Sequence, residues 1–403
     1  MVSQVQKKCM IITYKYKLYK YDDHSELDNI INISSNIWNH SISLHKRYYR
    51  LYHKHLSKFQ LQAHLTKLKN TRKSFWKDVP SQSIQNITDR IELSYQAFFD
   101  FAKGKTKIKR GVPSFRKREK YQSFTLKKTA GWKYLSERKI RLNKHEYRFV
   151  EHRKMDLTDI KTIVVKRKPD GSYWIFITGS KNKSKALPLT GQAEGFDFGL
   201  KTFLTVSDGE KIYNPQFFKT DITIIKRLNR QLSRRKNGSN RYYKAKIELA
   251  KAHSTISDKR DAFHWETALY LVKKFDHLIF EDLDIESMKE KWGRKVSDLA
   301  FTSFLQKVEY LSEKYSKEFH KIDRYFPSSQ LCSCCGGLNP QMKDLKTRTL
   351  DCVHCKSSID RDDNASINIK NAWASHSWSG YKTHPEQSVL KRVIKPLVIQ
   401  ATA

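Results

Sequence analysis

Two pairs of closely spaced cysteines constrain this chain more than any other feature of its sequence. Cys332 and Cys335 form one C-x-x-C pair, Cys352 and Cys355 form a second, and sixteen residues separate the two pairs. Each C-x-x-C turn lets two thiolates face one ion, and two such turns complete a tetrahedron around zinc. Because protein ligands fill every position, the spacing predicts a structural zinc ribbon. A redox-active C-x-x-C pair is the alternative, which the presence of two matched pairs disfavours.

Cys334 and His354 lie beside the paired cysteines and are further possible donors. We expect both to remain outside the metal site, because the four paired thiols already satisfy the spacing. Cys9 is isolated and is expected to be a buried thiol in a first strand. Five of the six cysteines lie between Cys332 and Cys355, which in a reducing compartment favours metal binding over disulfides.

The chain is strongly basic. Its 403 residues include 78 Lys and Arg against 41 Asp and Glu, which gives a formal net charge of +37. A charge of this size repels itself in a compact state unless a polyanion such as nucleic acid neutralises it. The sequence shows no apolar run of about 18 residues and no signal peptide at its start. It therefore predicts a soluble, intracellular nucleic-acid-binding protein of two or more domains that does not bind membranes.

Three acidic residues of the second half interrupt or end apolar stretches. Asp197 lies in the middle of an apolar strand, Glu281 ends another, and Asp362 stands where the N-cap of a helix is expected. An acid in an apolar strand is expensive to bury unless it binds a cation or forms an ion pair. Carboxylates from different elements can hold two Mg²⁺ ions about 3.5–4 Å apart for phosphodiester hydrolysis. These three acids are therefore the candidate catalytic and magnesium-binding residues.

Each of these acids also has a structural explanation when it is taken alone. Asp197 is consistent with a strand-end turn, Glu281 with the start of a loop, and Asp362 with a plain helix cap. Near-normal cleavage by Asp362→Ala would make Asp360 or Asp363 the third candidate ligand. The order of the acids, with the cysteine pairs placed before the third, favours one shared site.

Glycines flank the strand that carries Asp197. Phe196 and Phe198 alternate with Asp197, so their rings are expected on the opposite face from the carboxylate. Gly195 and Gly199 leave room for another backbone or a ligand to approach. The sequence therefore predicts a carboxylate that stands alone on its side of a closely packed strand.

Residues 103–128 form a basic stretch with eleven Lys or Arg and a single acid, Glu119. Phe115, Tyr121 and Phe124 lie within it, and exposed basic residues with aromatic rings between them suit phosphate contact and base stacking. A solvated loop in a lysine-rich protein is the alternative. The positive charge of the whole chain favours nucleic-acid binding.

A second basic region, residues 226–260, is predicted to form two antiparallel helices joined by a polar turn at 234–241, before a further helix at 264–275. The candidate nucleic-acid-binding residues come from both basic regions. They are Lys103, Lys105, Lys107, Lys109, Arg110, Arg116, Lys117, Arg118, Arg234, Arg235 and Lys236.

The first half of the chain combines strand and helix patterns. Residues 8–20 alternate as a strand, and residues 25–101 show helical spacing with a break near Pro80. A hairpin is predicted around the turn at 168–171. We expect the first strand and the later strands of 140–180 to close into one discontinuous β-barrel around the inserted helices.

Five segments of the second half resemble the TnpB family of transposon-encoded nucleases, which is related to the type V CRISPR effectors. In the first half the resemblance is weaker. The segments are GFDFGLKTFLTVSDG (195–209), LIFEDLDIESM (278–288), FPSSQLCSCCG (326–336), LDCVHC (350–355) and DRDDNASINI (360–369).

The resemblance implies a multidomain α+β fold. It comprises a β-barrel wedge domain with an inserted helical recognition lobe, then an RNase H-like (RuvC) α/β nuclease domain with an inserted zinc ribbon. The implied boundaries are 1–24 and 103–185 for the wedge domain, 25–102 for the recognition lobe, 190–325 and 359–380 for the nuclease domain, 326–358 for the ribbon and 381–403 for a C-terminal tail.

The resemblance also implies an activity, which is Mg²⁺-dependent, RNA-guided cleavage of DNA next to a short adjacent motif. The implied partners are a guide RNA from the transposon end, the target duplex and its displaced single strand, in a prokaryotic cytoplasm and at the nucleoid when active. The family's catalytic acids correspond to Asp197, Glu281 and Asp362. Ser366 replaces the usual Ala of the family, a change between small residues.

Two alternative functions remain open at this point. A compact type V CRISPR effector would have almost the same sequence features, and only its genomic neighbourhood would distinguish it. An RNA-guided DNA-binding regulator would not cleave and would tolerate loss of the acids. The presence of all three acids favours a nuclease.

Overall fold

The structure is a computed structural model that describes residues 9–128, 130–136, 138–182, 186–344 and 346–375. The predicted tail at 381–403 lies outside the described residues, as do 376–380 of the predicted nuclease domain and 1–8 of the predicted wedge domain.

The described residues form two compact units. The first comprises residues 9–182 and 228–252, and the second comprises residues 186–227 and 253–375. The predicted domain boundaries divide the chain differently, since they place residues 228–252 in the nuclease domain, and they stay predictions.

The first unit contains a seven-stranded antiparallel sheet. Its strands are β1 (Cys9–Leu18), β2 (Ser123–Lys127), β3 (Trp132–Ser136), β4 (Lys139–Leu142), β5 (His145–Val150), β6 (Asp159–Arg167) and β7 (Tyr173–Asn182). The order β2-β6-β7-β1-β5-β4-β3 places the first strand in the middle of the sheet. Ile12 and Tyr14 of β1 are buried whereas Ile11 is exposed, which confirms the predicted alternation.

The predicted hairpin joins β6 to β7, and its turn is closed by a 2.8 Å hydrogen bond from the backbone N–H of Lys168 to the carbonyl of Ser172. A side chain connects the edge strands β2 and β3: Trp132 Nε1 of β3 donates a hydrogen bond to the carbonyl of Lys127 of β2 at 3.2 Å. No backbone pairing joins these two edges among the strands described. Closure into a barrel therefore stays a prediction.

Helices α1 (Ser25–Tyr52), α2 (Lys58–Asn70) and α3 (Ser81–Ala102) lie between β1 and β2 in the chain. Helix α1 buries Leu27, Ile30, Ile31 and Trp38 along one face, as the helical spacing of residues 25–101 predicts, and Ser34 is buried as well. Pro80 immediately precedes α3, which confirms the predicted break, since proline lacks the N–H that a continuous helix requires.

The second unit contains a five-stranded mixed sheet in the order β10-β9-β8-β11-β12, and a separate two-stranded antiparallel sheet. Strands β10, β9 and β8 pair antiparallel, whereas β8, β11 and β12 pair parallel. The strands are β8 (Ala193–Phe198), β9 (Thr202–Val206), β10 (Lys211–Tyr213), β11 (His277–Glu281) and β12 (Glu318–Ile322), and the small sheet is β13 (Thr349–Asp351) with β14 (Ser358–Asp360).

The remaining helices are α4 (Phe217–Ser233), α5 (Asn240–Lys274), α6 (Ile285–Trp292), α7 (Arg294–Leu299), α8 (Phe301–Tyr315) and α9 (Arg361–Ser375). One of them, α5, is longer than predicted. The predicted helix at 264–275 is not separate but continues α5, because the intervening residues contain no Gly or Pro to interrupt it. Among the described residues, no helix has the length and hydropathy that spanning a membrane requires.

The two faces of the five-stranded sheet have different partners. On one face, the rings of Phe196 and Phe280 stack with centroids 4.7 Å apart, within a core that includes residues of α5 and α8. On the other face, Ile279 of β11 packs with Ile369 and Trp373 of α9. Helix α9 therefore covers the face opposite the aromatic core, and the predicted mixture of helices and strands is confirmed.

Gly195 lies where α9 crosses β8. A Cβ atom at this position would lie 2.3 Å from the carbonyl oxygen of Ser366 and 2.6 Å from the backbone nitrogen of Lys370. Both neighbours are backbone atoms, so no side-chain rotation relieves the overlap. The predicted close approach of another backbone to Gly195 is therefore confirmed.

We expect Gly195→Ala to destabilise the protein, because the added methyl group forces α9 away from β8. Overpacking of this kind costs about 1–3 kcal/mol, which denaturant unfolding would measure. Gly111→Ala is the matched control, since a Cβ atom there meets no atom within 4 Å. Equal unfolding free energies for the two variants would contradict the proposed contact.

Candidate active site

Asp197 lies on β8, on the face that α9 covers. It follows Gly195 by two residues, so alternation places the two side-chain positions on the same side of the strand. Phe198, its neighbour, faces the aromatic core, with its ring 4.4 Å from that of Phe301. The structure thus agrees with the prediction that the Asp197 carboxylate stands alone on its side.

Glu281 is the last residue of β11, which pairs parallel with β8. Ile279, two residues earlier, packs against α9, so alternation directs Glu281 toward the same face. The hydroxyl of Ser328 donates a hydrogen bond to Glu281 Oε1. The serine therefore fixes the orientation of this carboxylate.

Asp362 is the second residue of α9. The preceding Asp360 accepts hydrogen bonds from the backbone N–H groups of Asp362 and Asp363, at 3.0 and 3.2 Å, and is therefore the N-cap. The prediction that Asp362 occupies the cap position is wrong, because Asp360 comes first at the junction of β14 and α9 and takes that role. Asp363 instead forms an ion pair with Lys211, 3.0 Å from its Nζ.

Asp197, Glu281 and Asp362 line one open pocket of about 590 Å³. Burial, followed by the charges of Glu281 and Asp362, raises the pKa of Asp197 well above its usual range. Burial also raises the pKa of Glu281 and of Asp362. Burial disfavours the charged form of each carboxylate, so positive charge in the pocket would stabilise all three. Clustered carboxylate oxygens are a donor set that suits a hard divalent cation.

Basic side chains that the sequence analysis did not single out surround the acids. Those lining the pocket are Lys201, Lys211, Lys346, Arg348 and Arg361. Arg348 Nη1 lies 3.9 Å from Asp362 Oδ1, and Arg361 donates to the carbonyl of Asp344 at 2.8 Å. The pocket thus places cationic groups beside the carboxylates, where they can contact a phosphate.

The four paired cysteines converge. Sulfur atoms of Cys332 and Cys355 lie 3.6 Å apart, as do those of Cys335 and Cys352, and all four lie within 4.8 Å of one another. Thiolates bound at about 2.3 Å to a tetrahedral zinc ion are roughly 3.8 Å apart. The cluster is therefore compatible with a zinc site.

The neighbouring donors lie outside this cluster. Cys334 is exposed, and it does not join the four cysteines in the described part of the chain. The ring of His354 packs over Gly337, where a Cβ atom would lie 2.3 Å from His354 Cδ2. The structure thus agrees with the expectation that Cys334 and His354 are bystanders.

Two asparagines of α9 attach the cysteine cluster to the helix that carries Asp362. Asn364 donates to the carbonyl of Leu331 at 2.6 Å and accepts from the backbone N–H of Ser333 at 2.8 Å. Asn368 donates to the carbonyls of Ser328 and Leu331 at 2.8 and 2.7 Å. Sequence analysis missed both residues, although two asparagines four positions apart on a buried helix face are a usable signal.

The predicted nucleic-acid-binding residues are all exposed. Those of the first stretch lie between α3 and β2, and the other three lie where α4 ends and the chain turns toward α5. They are Lys103, Lys105, Lys107, Lys109, Arg110, Arg116, Lys117, Arg118, Arg234, Arg235 and Lys236. Exposure leaves their charges accessible to a polyanion.

The aromatic residues of the first basic stretch differ from expectation. Phe115 is 52% exposed, but Tyr121 and Phe124 are only 2% and 3% exposed. Base stacking by Tyr121 and Phe124 is therefore excluded in this conformation, because both rings belong to the core of the first unit. Arg116 is held in place by its guanidinium, 4.3 Å over the ring of Trp38, and by a 2.8 Å hydrogen bond from its backbone N–H to Asn39.

Comparisons with known proteins identify the relatives of this chain. Residues 172–291 match the OrfB_IS605 family model, described as "Probable transposase". Residues 301–369 match the model described as "Cas12f1-like, TNB domain". The chain is 16% identical to the protein in a solved Cas12f1–sgRNA–target DNA complex, with a TM-score of 0.55, covering 87% of this chain and 83% of that one. This likeness shows that the two chains share a mixed α/β fold.

Relatives by sequence agree with these matches. "Putative RNA-guided DNA endonuclease" of Streptomyces pristinaespiralis is 26% identical, over 96% of this chain and 94% of the relative. "Putative RNA-guided DNA endonuclease InsQ" of Escherichia coli K12 is 25% identical, over 65% of this chain and 63% of the relative. "TnpB-like protein L79" of Acanthamoeba polyphaga mimivirus is 26% identical, over 52% and 42%. The predicted relationship to the TnpB family is confirmed.

We expect Cys352→Ser to lower the zinc content by one ion per chain, because three thiolates cannot complete the tetrahedron. Cys334→Ser is the matched control and should leave the zinc content unchanged. Metal analysis of both purified variants tests this expectation. Equal zinc in Cys352→Ser and the unmodified protein would refute a four-cysteine site.

Proposed function

We propose that this protein is an RNA-guided DNA endonuclease that hydrolyses phosphodiester bonds with Asp197, Glu281 and Asp362. The observation that carries the proposal is the convergence of these acids, from two strands and a helix, into one pocket. Relatives named as RNA-guided DNA endonucleases support the same activity. Structural roles alone do not explain three partly buried carboxylates that line one pocket and whose pKa values are all raised.

The proposed domains follow the resemblance to TnpB. The seven-stranded sheet is proposed as the wedge domain, at 1–24 and 103–185, and helices α1–α3 as the recognition lobe, at 25–102. The five-stranded sheet with α9 is proposed as the RNase H-like (RuvC) nuclease domain, at 190–325 and 359–380. The four-cysteine segment, 326–358, is proposed as a zinc ribbon.

Asp197, Glu281 and Asp362 are proposed to hold two Mg²⁺ ions. The raised pKa values of these groups fit that role, because bound cations favour the charged carboxylates that burial, and for Asp197 also the neighbouring acids, disfavour. When bound, the two ions supply activation of a water nucleophile and stabilisation of the leaving oxygen. Ser328 keeps one Glu281 oxygen engaged and thereby directs the other toward the pocket.

The pocket's own basic residues position the substrate. Arg348, which lies 3.9 Å from Asp362, and Lys346 both line the pocket, as does Lys201 on the loop after β8. Their charges attract a phosphate into a site whose acids would otherwise repel it. Arg361 is nearly buried and bonded to the ribbon segment, so it steadies the start of α9 and tempers the negative charge of Asp197.

The proposed partners are a guide RNA from the transposon end, the target DNA duplex and the displaced single strand. The exposed basic stretch at 103–118 and the turn at 234–236 are proposed to contact their phosphates. Base pairing with the guide would then supply sequence specificity, while the protein reads a short adjacent motif. A net charge of +37 suits a protein that binds several nucleic-acid strands.

We expect Asp197→Ala, Glu281→Ala and Asp362→Ala each to abolish cleavage while target binding persists, because the acids hold metal rather than most of the nucleic acid. Asp363→Asn is the matched control, since Asp363 pairs with Lys211 and does not line the pocket. Cleavage and gel-shift assays with the copurified RNA measure both properties. Normal cleavage by Asp197→Ala would contradict the mechanism. Normal cleavage by Asp362→Ala together with loss of cleavage by Asp363→Asn would make Asp363, rather than Asp362, the third metal ligand.

The guided mechanism predicts that replacing the variable end of the RNA moves the cut site on a plasmid library, because base pairing selects the target. Protein stripped of RNA should not cut at a defined sequence. Sequencing the cut ends tests both expectations. Cutting at one fixed sequence with every guide would show that the protein reads DNA directly, and guide-dependent binding without cutting would favour a regulator.

A further inference from the structure

A second group of metal-ligand side chains lies away from both the carboxylate pocket and the cysteine cluster. His277 begins β11, and Glu318 and His320 lie on the adjacent parallel strand β12. The register pairs His277 with Glu318 and Ile279 with His320, so alternation puts the three side chains on the face that α9 covers. Sheet geometry therefore brings two imidazoles and a carboxylate together.

The three donor atoms form a nearly equilateral triangle. His277 Nδ1 lies 3.4 Å from Glu318 Oε2, His320 Nε2 lies 3.2 Å from the same oxygen, and the two nitrogens are 3.4 Å apart. Ligands bound at about 2.0–2.1 Å to a tetrahedral zinc ion are separated by about 3.3–3.4 Å. The observed triangle thus has the dimensions of one face of a zinc tetrahedron.

The surroundings hold this triangle in place. Trp373 of α9 packs against both imidazoles, with its ring 4.9 Å from that of His277 and 5.3 Å from that of His320. The His277 side chain is 9% exposed, whereas that of Glu318 is 44% exposed. The imidazoles are therefore fixed by packing, and the carboxylate side opens to solvent, where a water molecule can complete a fourth position.

We propose that His277, Glu318 and His320 form a second metal site, suited to Zn²⁺ or a similar divalent transition metal. Two imidazoles and one carboxylate are a recognised three-residue zinc set that leaves one position open. The site lies about 13 Å along β11 from Glu281, since each strand residue advances about 3.3 Å. It is thus separate from the proposed catalytic ions and does not depend on the proposed nuclease activity.

A simpler arrangement of the same residues is a carboxylate that accepts a hydrogen bond from each imidazole. The isosteric change Glu318→Gln separates the two arrangements. Glutamine keeps a carbonyl oxygen that accepts the same hydrogen bonds, but it is a much weaker metal ligand than a carboxylate. A hydrogen-bonded cluster tolerates the change, whereas a metal site loses its ion.

The test is the zinc content of the full-length protein, purified with its RNA, supplied with Zn²⁺ and passed over a chelating resin. We expect two zinc ions per chain in the unmodified protein, one in Glu318→Gln, and two in the control Glu313→Gln, which alters an exposed glutamate of α8. Added Zn²⁺ should raise the melting temperature of the unmodified protein more than that of Glu318→Gln. Equal zinc content in these three proteins would overturn the proposal.

A cobalt titration gives a second readout that distinguishes the two sites. Cobalt bound by the cysteines produces thiolate-to-metal charge-transfer absorption, whereas cobalt bound by nitrogen and oxygen produces only weaker visible bands. We expect two binding phases in the unmodified protein and loss of the second phase in His320→Ala. A single phase with thiolate absorption in both proteins would show that only the cysteines bind metal.

Discussion

The close packing of α9 on β8 is the contact on which the candidate site depends. Gly195 lets the backbone of the helix approach the strand to a distance that no side chain at this position would permit. The first turn of the same helix carries Asp362, and the same strand carries Asp197 two residues after Gly195. Because a helix moves as a rigid element, the separation of these two carboxylates is set by this backbone contact rather than by local side-chain choices.

The pocket that results is electrostatically unfavourable for the protein alone. The pKa of each of the three acids is raised, so the folded chain holds protons that the unfolded chain releases. Without a cation, the protonated acids therefore lose their favourable effect on the stability of the fold as pH rises. The loss occurs from the ordinary carboxyl range through the raised pKa values. Divalent cations would reverse the effect by favouring the charged carboxylates. The clustered acids thus lower the stability of the fold without a cation, and the same clustering makes the pocket bind positive charge.

Local patterns in the sequence predicted the structure correctly where the feature depends on a single strand or helix. The alternation in β1, the glycine that allows close approach at Gly195 and the helix break at Pro80 all follow from the residues concerned. The convergence of Asp197, Glu281 and Asp362 was predicted from their order and from family resemblance, because periodicity alone gives no distances between elements.

The errors arose where neighbouring residues compete for one role or where tertiary packing decides. Asp360 and Asp362 both suit an N-cap, and only the structure shows that Asp360 accepts the hydrogen bonds. Tyr121 and Phe124 were expected among exposed residues, yet both are buried in the first unit, Tyr121 with its ring beside Trp38 of α1. Ser328 gave no signal in the sequence, because its partner is the carboxylate of Glu281, which is distant in the chain.

The cysteine cluster and the candidate active site are connected through α9. The small apolar core of the cysteine segment contains Cys332, Met342, Leu350 and Cys352, which is too little buried surface to keep a segment of this size folded without a metal or another clamp. Asn364 and Asn368 lie on α9, whose second residue is Asp362, and they bind the backbone beside Cys332. Loosening the cysteine segment would leave these buried amides without partners, at a cost of about 1–3 kcal/mol for each lost partner. A metal at the cysteines therefore supports the position of Asp362 through α9, although it lies outside the pocket.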